Sequence, residues 1–174
     1  MSFHQILSSG APTGWSSVIN VIEQAGTARD YAHESGVLHC DIKPANLLVA
    51  ERGAVKICDF RIAKTVGSGT ASHTAFRMGT PTYMSAEHIK GDELDGRSDQ
   101  YSLAAMAYVA LTGSPPFQHE RPEGLLFKIV MDPAPRADKL RPRVYEHLSA
   151  GGSLTHGGSC HRSMSNTRDH RRLL

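Results

Sequence analysis

Cysteine is scarce in this chain. Three occur, Cys40, Cys58 and Cys160, at unrelated positions, which argues against a disulfide framework and makes a reducing, cytoplasmic setting the expectation. Charge of one sign is also lacking. Nineteen Lys and Arg stand against 17 Asp and Glu, a formal net charge of +2, so no nucleic-acid partner is expected. Long hydrophobic runs are absent as well: the apolar stretch 103–111 falls far short of the ~20 residues of a membrane span. No signal peptide is evident at the start, and no membrane partner is expected. What the composition does offer, 174 residues of which 40% are hydrophobic, suits one domain built around a core of helices.

Against that plain background one run stands out. His39-Cys40-Asp41-Ile42-Lys43-Pro44-Ala45-Asn46 is followed thirteen residues after the Asn by Asp59-Phe60. It supplies a carboxylate to orient and take a hydroxyl proton, a cation beside it, and two oxygen ligands for Mg²⁺. Phosphoryl transfer asks for these parts, because positioning and charge stabilisation supply most of its catalysis. The segment between them explains the spacing. Leu47-Leu48-Val49 and Val55-Lys56-Ile57 flank the turn residues Glu51-Arg52-Gly53, a hairpin that returns Asp59 beside Asn46.

The rest of the chain is helical in pattern. Over 15–35, Val18, Val21, Ile22, Ala25, Ala28 and Ala32 recur at three- and four-residue spacing, and Gly36 sits where a C-terminal cap belongs. A buried helix is expected over 99–113, a break at Ser114-Pro115-Pro116-Phe117, and a shorter amphipathic helix over 124–131. By its position Asp99 could cap the second of these helices. The fold class is therefore mainly α with a small β-hairpin.

HCDIKPANLL, VKICDF, GTPTYMSAE and DGRSDQYSLAAMAYVALTGSPPF, in that order, resemble the C-terminal lobe of a eukaryotic-type serine/threonine protein kinase of the bacterial-like pattern. Small-molecule phosphotransferases carry a similar H-x-D-x-x-x-x-N stretch, and the peptide-docking segment GTPTYMSAE argues for the protein kinases. The resemblance implies Asp41 as catalytic base, Lys43 as the contact to the γ-phosphate, and Asn46 and Asp59 as Mg²⁺ ligands. It implies a hydrogen bond from Thr80 near Asp41 and Lys43, and an Asp99 carboxylate that holds the backbone near His39. Lys43, two residues after Asp41, follows the serine/threonine pattern. ATP and Mg²⁺ are the implied cofactors, and a protein with a Ser or Thr acceptor is the implied partner.

Three positions depart from the family pattern. Cys40 replaces the arginine that in many kinases pairs with a phosphate on the activation segment, so activation through that residue is not expected. Arg61 stands where glycine usually follows Asp-Phe, narrowing the backbone freedom next to Asp59. Ala86 replaces a proline before Glu87 and restores freedom in φ. Thr65, Ser68, Thr70, Ser72 and Thr74 are candidate phosphorylation positions. Gly67-Ser68-Gly69-Thr70-Ala71-Ser72 is a partial glycine-rich match without strand and helix around it, and is expected to be a loop.

The expected organisation is a flexible lead-in over 1–14, a partial protein kinase domain over 15–147 and a disordered tail over 148–174. Only 38 residues precede His39, so the family's small β-rich lobe, with its glycine-rich loop and lysine, is expected to be absent, and a partner chain to supply it. The family's later arginine partner for Glu87 is also expected to be missing, leaving that glutamate exposed. The tail, with four arginines and one aspartate among glycines and serines, has little apolar periodicity. His156, Cys160, His161 and His170 lack zinc-site spacing, and a reading-frame change near Tyr145 would produce the same junction. The implied function is transfer of the ATP γ-phosphoryl group to Ser/Thr hydroxyls of proteins, impaired in this chain alone without the lobe that roofs the nucleotide. The alternative is a non-catalytic kinase-like binding or scaffold module, or a truncated gene remnant.

Overall fold

The computed structural model describes residues 1–9, 14–60, 64–65 and 81–136. Arg61, Thr80, the loop hydroxyls Ser68, Thr70, Ser72 and Thr74, and the tail 148–174 lie outside the described residues.

The described chain is mainly helical with a small antiparallel hairpin. In order it runs α1 (Phe3–Ser8), α2 (Trp15–Glu34), β1 (Val37–Leu38), β2 (Leu47–Val49), β3 (Val55–Ile57), β4 (Lys64–Thr65), α3 (Ala86–Lys90), α4 (Gly96–Thr112) and α5 (Pro122–Met131). Single 3₁₀ turns, Pro44–Asn46 and Pro81–Tyr83, precede β2 and α3. Among the described residues no helix is long and apolar enough to cross a membrane.

The periodic apolar face of α2 buries Val18, Val21 and Ala25 against Leu103 and Met106 of α4 and against Phe3, Ile42 and Leu47. A second cluster joins Tyr101 and Ala105 of α4 to Phe117 and Ile129. One helix serves both cores because 101 and 105 repeat at four residues and 103 and 106 at three, which places them on different faces of the same cylinder. α4 is accordingly buried over most of its length. Gly36 ends α2 at φ +73, a left-handed conformation that glycine reaches without a Cβ clash.

The hairpin forms as its pattern predicts, with Leu47 opposite Ile57 and Val49 opposite Val55. Gln24 of α2 clamps its turn, donating from Nε2 to the Gly53 carbonyl and accepting at Oε1 from the Val55 amide, both at 3.0 Å. A second pairing was not anticipated: β1 and β4 join antiparallel, Val37 opposite Thr65.

Two sequence expectations need correction here. Residues 3–8 are a capped helix, so the flexible lead-in over 1–14 does not hold for them. Ser2 Oγ accepts from the Gln5 amide at 3.2 Å and Gln5 Oε1 accepts from the Ser2 amide at 2.8 Å, a capping box that satisfies two backbone donors reciprocally. Phe3 is fully buried, and the Met1 carbonyl accepts from the Val49 amide at 2.8 Å. The second correction concerns α4. It begins three residues earlier than expected because Asp95 is its N-cap, accepting from the Arg97 amide at 2.8 Å. Asp99 lies one turn inside, and its carboxylate is directed elsewhere.

Candidate active site

The segment just before Asp41 is held from below by that carboxylate. Asp99 is 1% exposed; its Oδ1 accepts from the Cys40 amide at 2.7 Å and its Oδ2 from the His39 amide at 2.8 Å. Two amides directed at one buried carboxylate fix the backbone just before Asp41. Cys40 is thereby kept at φ +62, a left-handed conformation that a non-glycine residue adopts at a cost of about 1–2 kcal/mol. Its side chain is buried.

His39 links the two halves of the site. Its Nδ1 accepts from the Asp41 amide at 3.2 Å, which leaves the proton on Nε2, and that nitrogen donates to the Cys58 carbonyl at 3.0 Å. These partners assign a neutral ring with the Nε2 tautomer. The ring of Phe60 meets it edge-on, with centroids 4.5 Å apart at 61°. One buried imidazole therefore ties the chain before Asp41 to the chain before Asp59.

Around Asp41 the expected residues converge. Lys43 Nζ donates to Asp41 Oδ2 at 2.6 Å, and Asn46 Nδ2 donates to the same oxygen at 3.1 Å and to the Asp41 carbonyl at 2.8 Å. Among the described residues both side-chain donors, Lys43 and Asn46, go to Oδ2. Ile42, 1% exposed, anchors the loop between them in the core. The Asn46 carbonyl accepts from the Cys58 amide at 2.9 Å and from Cys58 Sγ at 3.2 Å, which brings Asp59 next to Asn46 as the hairpin predicted. Asp59 is exposed and has φ +69. Of the predicted site residues, Asp41, Lys43, Asn46 and Asp59 are thus gathered in one place, whereas Thr80 lies outside the described residues.

The donor set fits a small hard cation. Asn46 is 5% exposed and uses its amide nitrogen on Asp41, which leaves Oδ1 for a metal, and Asp59 adds a carboxylate. Oxygen ligands of this kind suit Mg²⁺. Among the described residues no group of three or more His, Cys, Asp or Glu side chains forms a metal cluster. A two-ligand arrangement is compatible with Mg²⁺ taking its other ligands from water and substrate phosphates.

Glu87 departs from expectation. It is half-buried rather than exposed: Ser98 Oγ donates to its Oε1 at 2.9 Å, while Oε2 is shielded from solvent without a hydrogen-bond partner. Ser85, which caps α3 through the His88 amide, also donates to Ser98. That cap starts the helix at Ala86 without the proline of the family pattern. Gln24, Ser98 and His33 are the structural residues that sequence reasoning missed. For His33 a signal existed, since the stripe Val18, Val21, Ala25 continues at four-residue steps through Arg29 to His33.

The protein kinase domain model matches residues 1–150 of the chain. The serine/threonine-protein kinase PknB of Mycobacterium leprae is 35% identical over 140 residues, 79% of this chain and 22% of the relative. PknB of Mycobacterium tuberculosis strain H37Ra is 36% identical over 153 residues, covering 86% and 24%. The serine/threonine-protein kinase PknD of Mycobacterium tuberculosis strain CDC 1551 is 36% identical over 141 residues, covering 81% and 21%. The chain therefore spans about a quarter or less of the length of these relatives. With four ordered motifs, a convergent site and a family match over most of its length, the chain belongs to the protein kinase family and is similar to its serine/threonine members.

Proposed function

We propose that the chain carries the catalytic half of a protein serine/threonine kinase, transferring the γ-phosphoryl group of ATP to a Ser or Thr hydroxyl. The observation that carries this reading is the convergence on Asp41: Lys43 and Asn46 both donate to its Oδ2. Asp41 Oδ1 takes the acceptor proton as the oxygen–phosphorus bond forms and the bond to the β–γ bridging oxygen breaks, releasing ADP. Lys43, bonded to the same carboxylate, serves in this reading as the contact to the phosphate being transferred. Mg²⁺, when held by Asn46 and Asp59, neutralises the phosphate charge that develops. Asp99, through His39 and Cys40, keeps Asp41 in place. Thr80 belongs to the same proposal as a docking-segment contact to Asp41 and Lys43.

The described residues correspond to the kinase C-terminal lobe. The lobe that covers the triphosphate would come from residues outside this chain, in a longer protein or a partner, and activity of the chain alone is accordingly impaired. A second reading, a non-catalytic kinase-like module, is favoured by α5, where Phe127 and Met131 are 63% and 53% exposed one turn apart.

Calorimetric titration of Mg·ATP into the chain joined to its nucleotide-covering lobe, with Asp59→Asn as control, separates the two. Binding that the control abolishes supports the kinase reading. A folded chain that binds no Mg·ATP, or binds it equally well in the control, rejects a working nucleotide site and leaves the binding module.

A further inference from the structure

His33 is the last ionisable side chain on the buried stripe of α2, and it is 21% exposed. Its Nε2 lies 2.8 Å from Asp99 Oδ2, the oxygen that also accepts from the His39 amide. Asp99 therefore has three donors: one side chain from α2 and two backbone amides from the catalytic loop. The amides cannot choose where the carboxylate sits, since they belong to the strained segment that it holds. The carboxylate is positioned by α4, on which it is carried, and by His33. The ring is seated closely, because a Cβ built on Gly96 at the start of α4 would come within 2.8 Å of His33 Nδ1.

We propose that His33 is a positioning residue for the catalytic loop: it orients the Asp99 carboxylate, which holds the His39 and Cys40 amides and through them Asp41. The proposal rests on the reading of Asp41 as the base, although the contacts it invokes do not. Removing the imidazole leaves Asp99 Oδ2 with one donor instead of two inside the core, and a buried carboxylate that has lost a donor turns or recruits water. Either response loosens the amides that keep Cys40 at φ +62, a conformation that relaxes once released. The charged groups around the ring are Asp99 and Asp95 of α4, the latter bonded to Arg97, and on its own helix Arg29, paired with Asp30.

The test is amide hydrogen exchange by NMR on the whole chain without nucleotide. His33→Ala should speed exchange at His39 and Cys40 by about tenfold or more and leave Ile129, in the other core cluster, unchanged. His33→Gln, which can donate to Oδ2 from its own amide, should restore most of the protection. Unchanged exchange at His39 and Cys40, an equal rise at Ile129, or no rescue by glutamine would overturn the proposal. If the alanine variant does not fold, His33→Phe, which fills the same space without a donor, takes its place. Faster exchange at His39 and Cys40 supports the proposal, and unchanged exchange there rejects it. Because no step uses ATP, failure here is distinct from failure to bind Mg·ATP, which bears on the kinase reading alone.

Discussion

Asp99 Oδ1 accepts the amide hydrogen of Cys40 at 2.7 Å across 59 positions of sequence. The contact joins the centre of the fold to a loop residue with left-handed backbone, so the cost of a left-handed cysteine is met by burying a carboxylate with three donors. Stability and site geometry thus depend on the same side chain.

Asp99→Asn should therefore be expensive. An amide keeps one acceptor oxygen and puts an NH₂ group where the other stood, so one of the three donors faces a donor. Losing a hydrogen bond to a buried charge and leaving its partner unsatisfied costs about 3 kcal/mol. Urea unfolding of the two proteins measures the difference, and a loss under about 1 kcal/mol would show that the carboxylate is not the anchor.

Asp41→Asn should behave in the opposite way. The Asp41 and Lys43 side chains are 24% and 19% exposed, and a pair this close to solvent contributes about 1 kcal/mol or less. Its chemistry is another matter, since loss of a general base lowers turnover by roughly 10²–10⁴-fold. Phosphoryl transfer by the chain joined to its nucleotide-covering lobe should fall by that factor with the melting temperature nearly unchanged. Retained turnover would remove Asp41 from the role of base.

The N-terminal helix can be tested by Phe3→Ala. Phe3 is fully buried among Val18, Leu47 and Met106, and truncating such a side chain costs about 3–5 kcal/mol. Ser2→Ala, which removes only the cap, should cost about 1 kcal/mol. Equal and small effects of the two would mean that α1 adds little to the core.

How much of this was legible in the sequence depends on the range of the interactions. The convergence of Asn46 and Asp59 could be read because the hairpin between them is local and its alternation is regular. Asp41, Lys43, Asn46 and Asp59 could be singled out because their order matches a known family pattern. α1 was hidden although its signal is also local: Ser2 and Gln5 stand at capping-box spacing, but the polar residues that follow drew the eye to a loop. The partners of Gln24 and His33 were out of reach for a different reason, although the α2 stripe does place His33 on the buried face. Those partners lie 29 to 66 positions away, and a polar side chain on a helix does not announce which distant backbone or carboxylate it will meet. Asp99 sat between these cases, since its tether to the catalytic loop came by family likeness while its position suggested a cap that Asp95 in fact provides.

Asp95 gives a pH test of that last point. Hydrogen bonding to the Arg97 guanidinium, 2.7 Å away, holds its carboxyl below the usual carboxylate range. A carboxyl lowered on folding stabilises the native state above its unfolded value, near 3.9, and that contribution is lost as pH falls through the lower folded value. At neutral pH Asp95→Ala should cost about 1 kcal/mol as a lost N-cap. With the side chain 48% exposed, the ion pair itself adds little beyond this. The gap between wild type and variant should narrow below about pH 4 as the unfolded carboxyl takes up its proton. Paired urea titrations at pH 7 and pH 3 measure it, and a gap that stays constant across that interval would mean that Asp95 acts through its backbone shape instead of its charge.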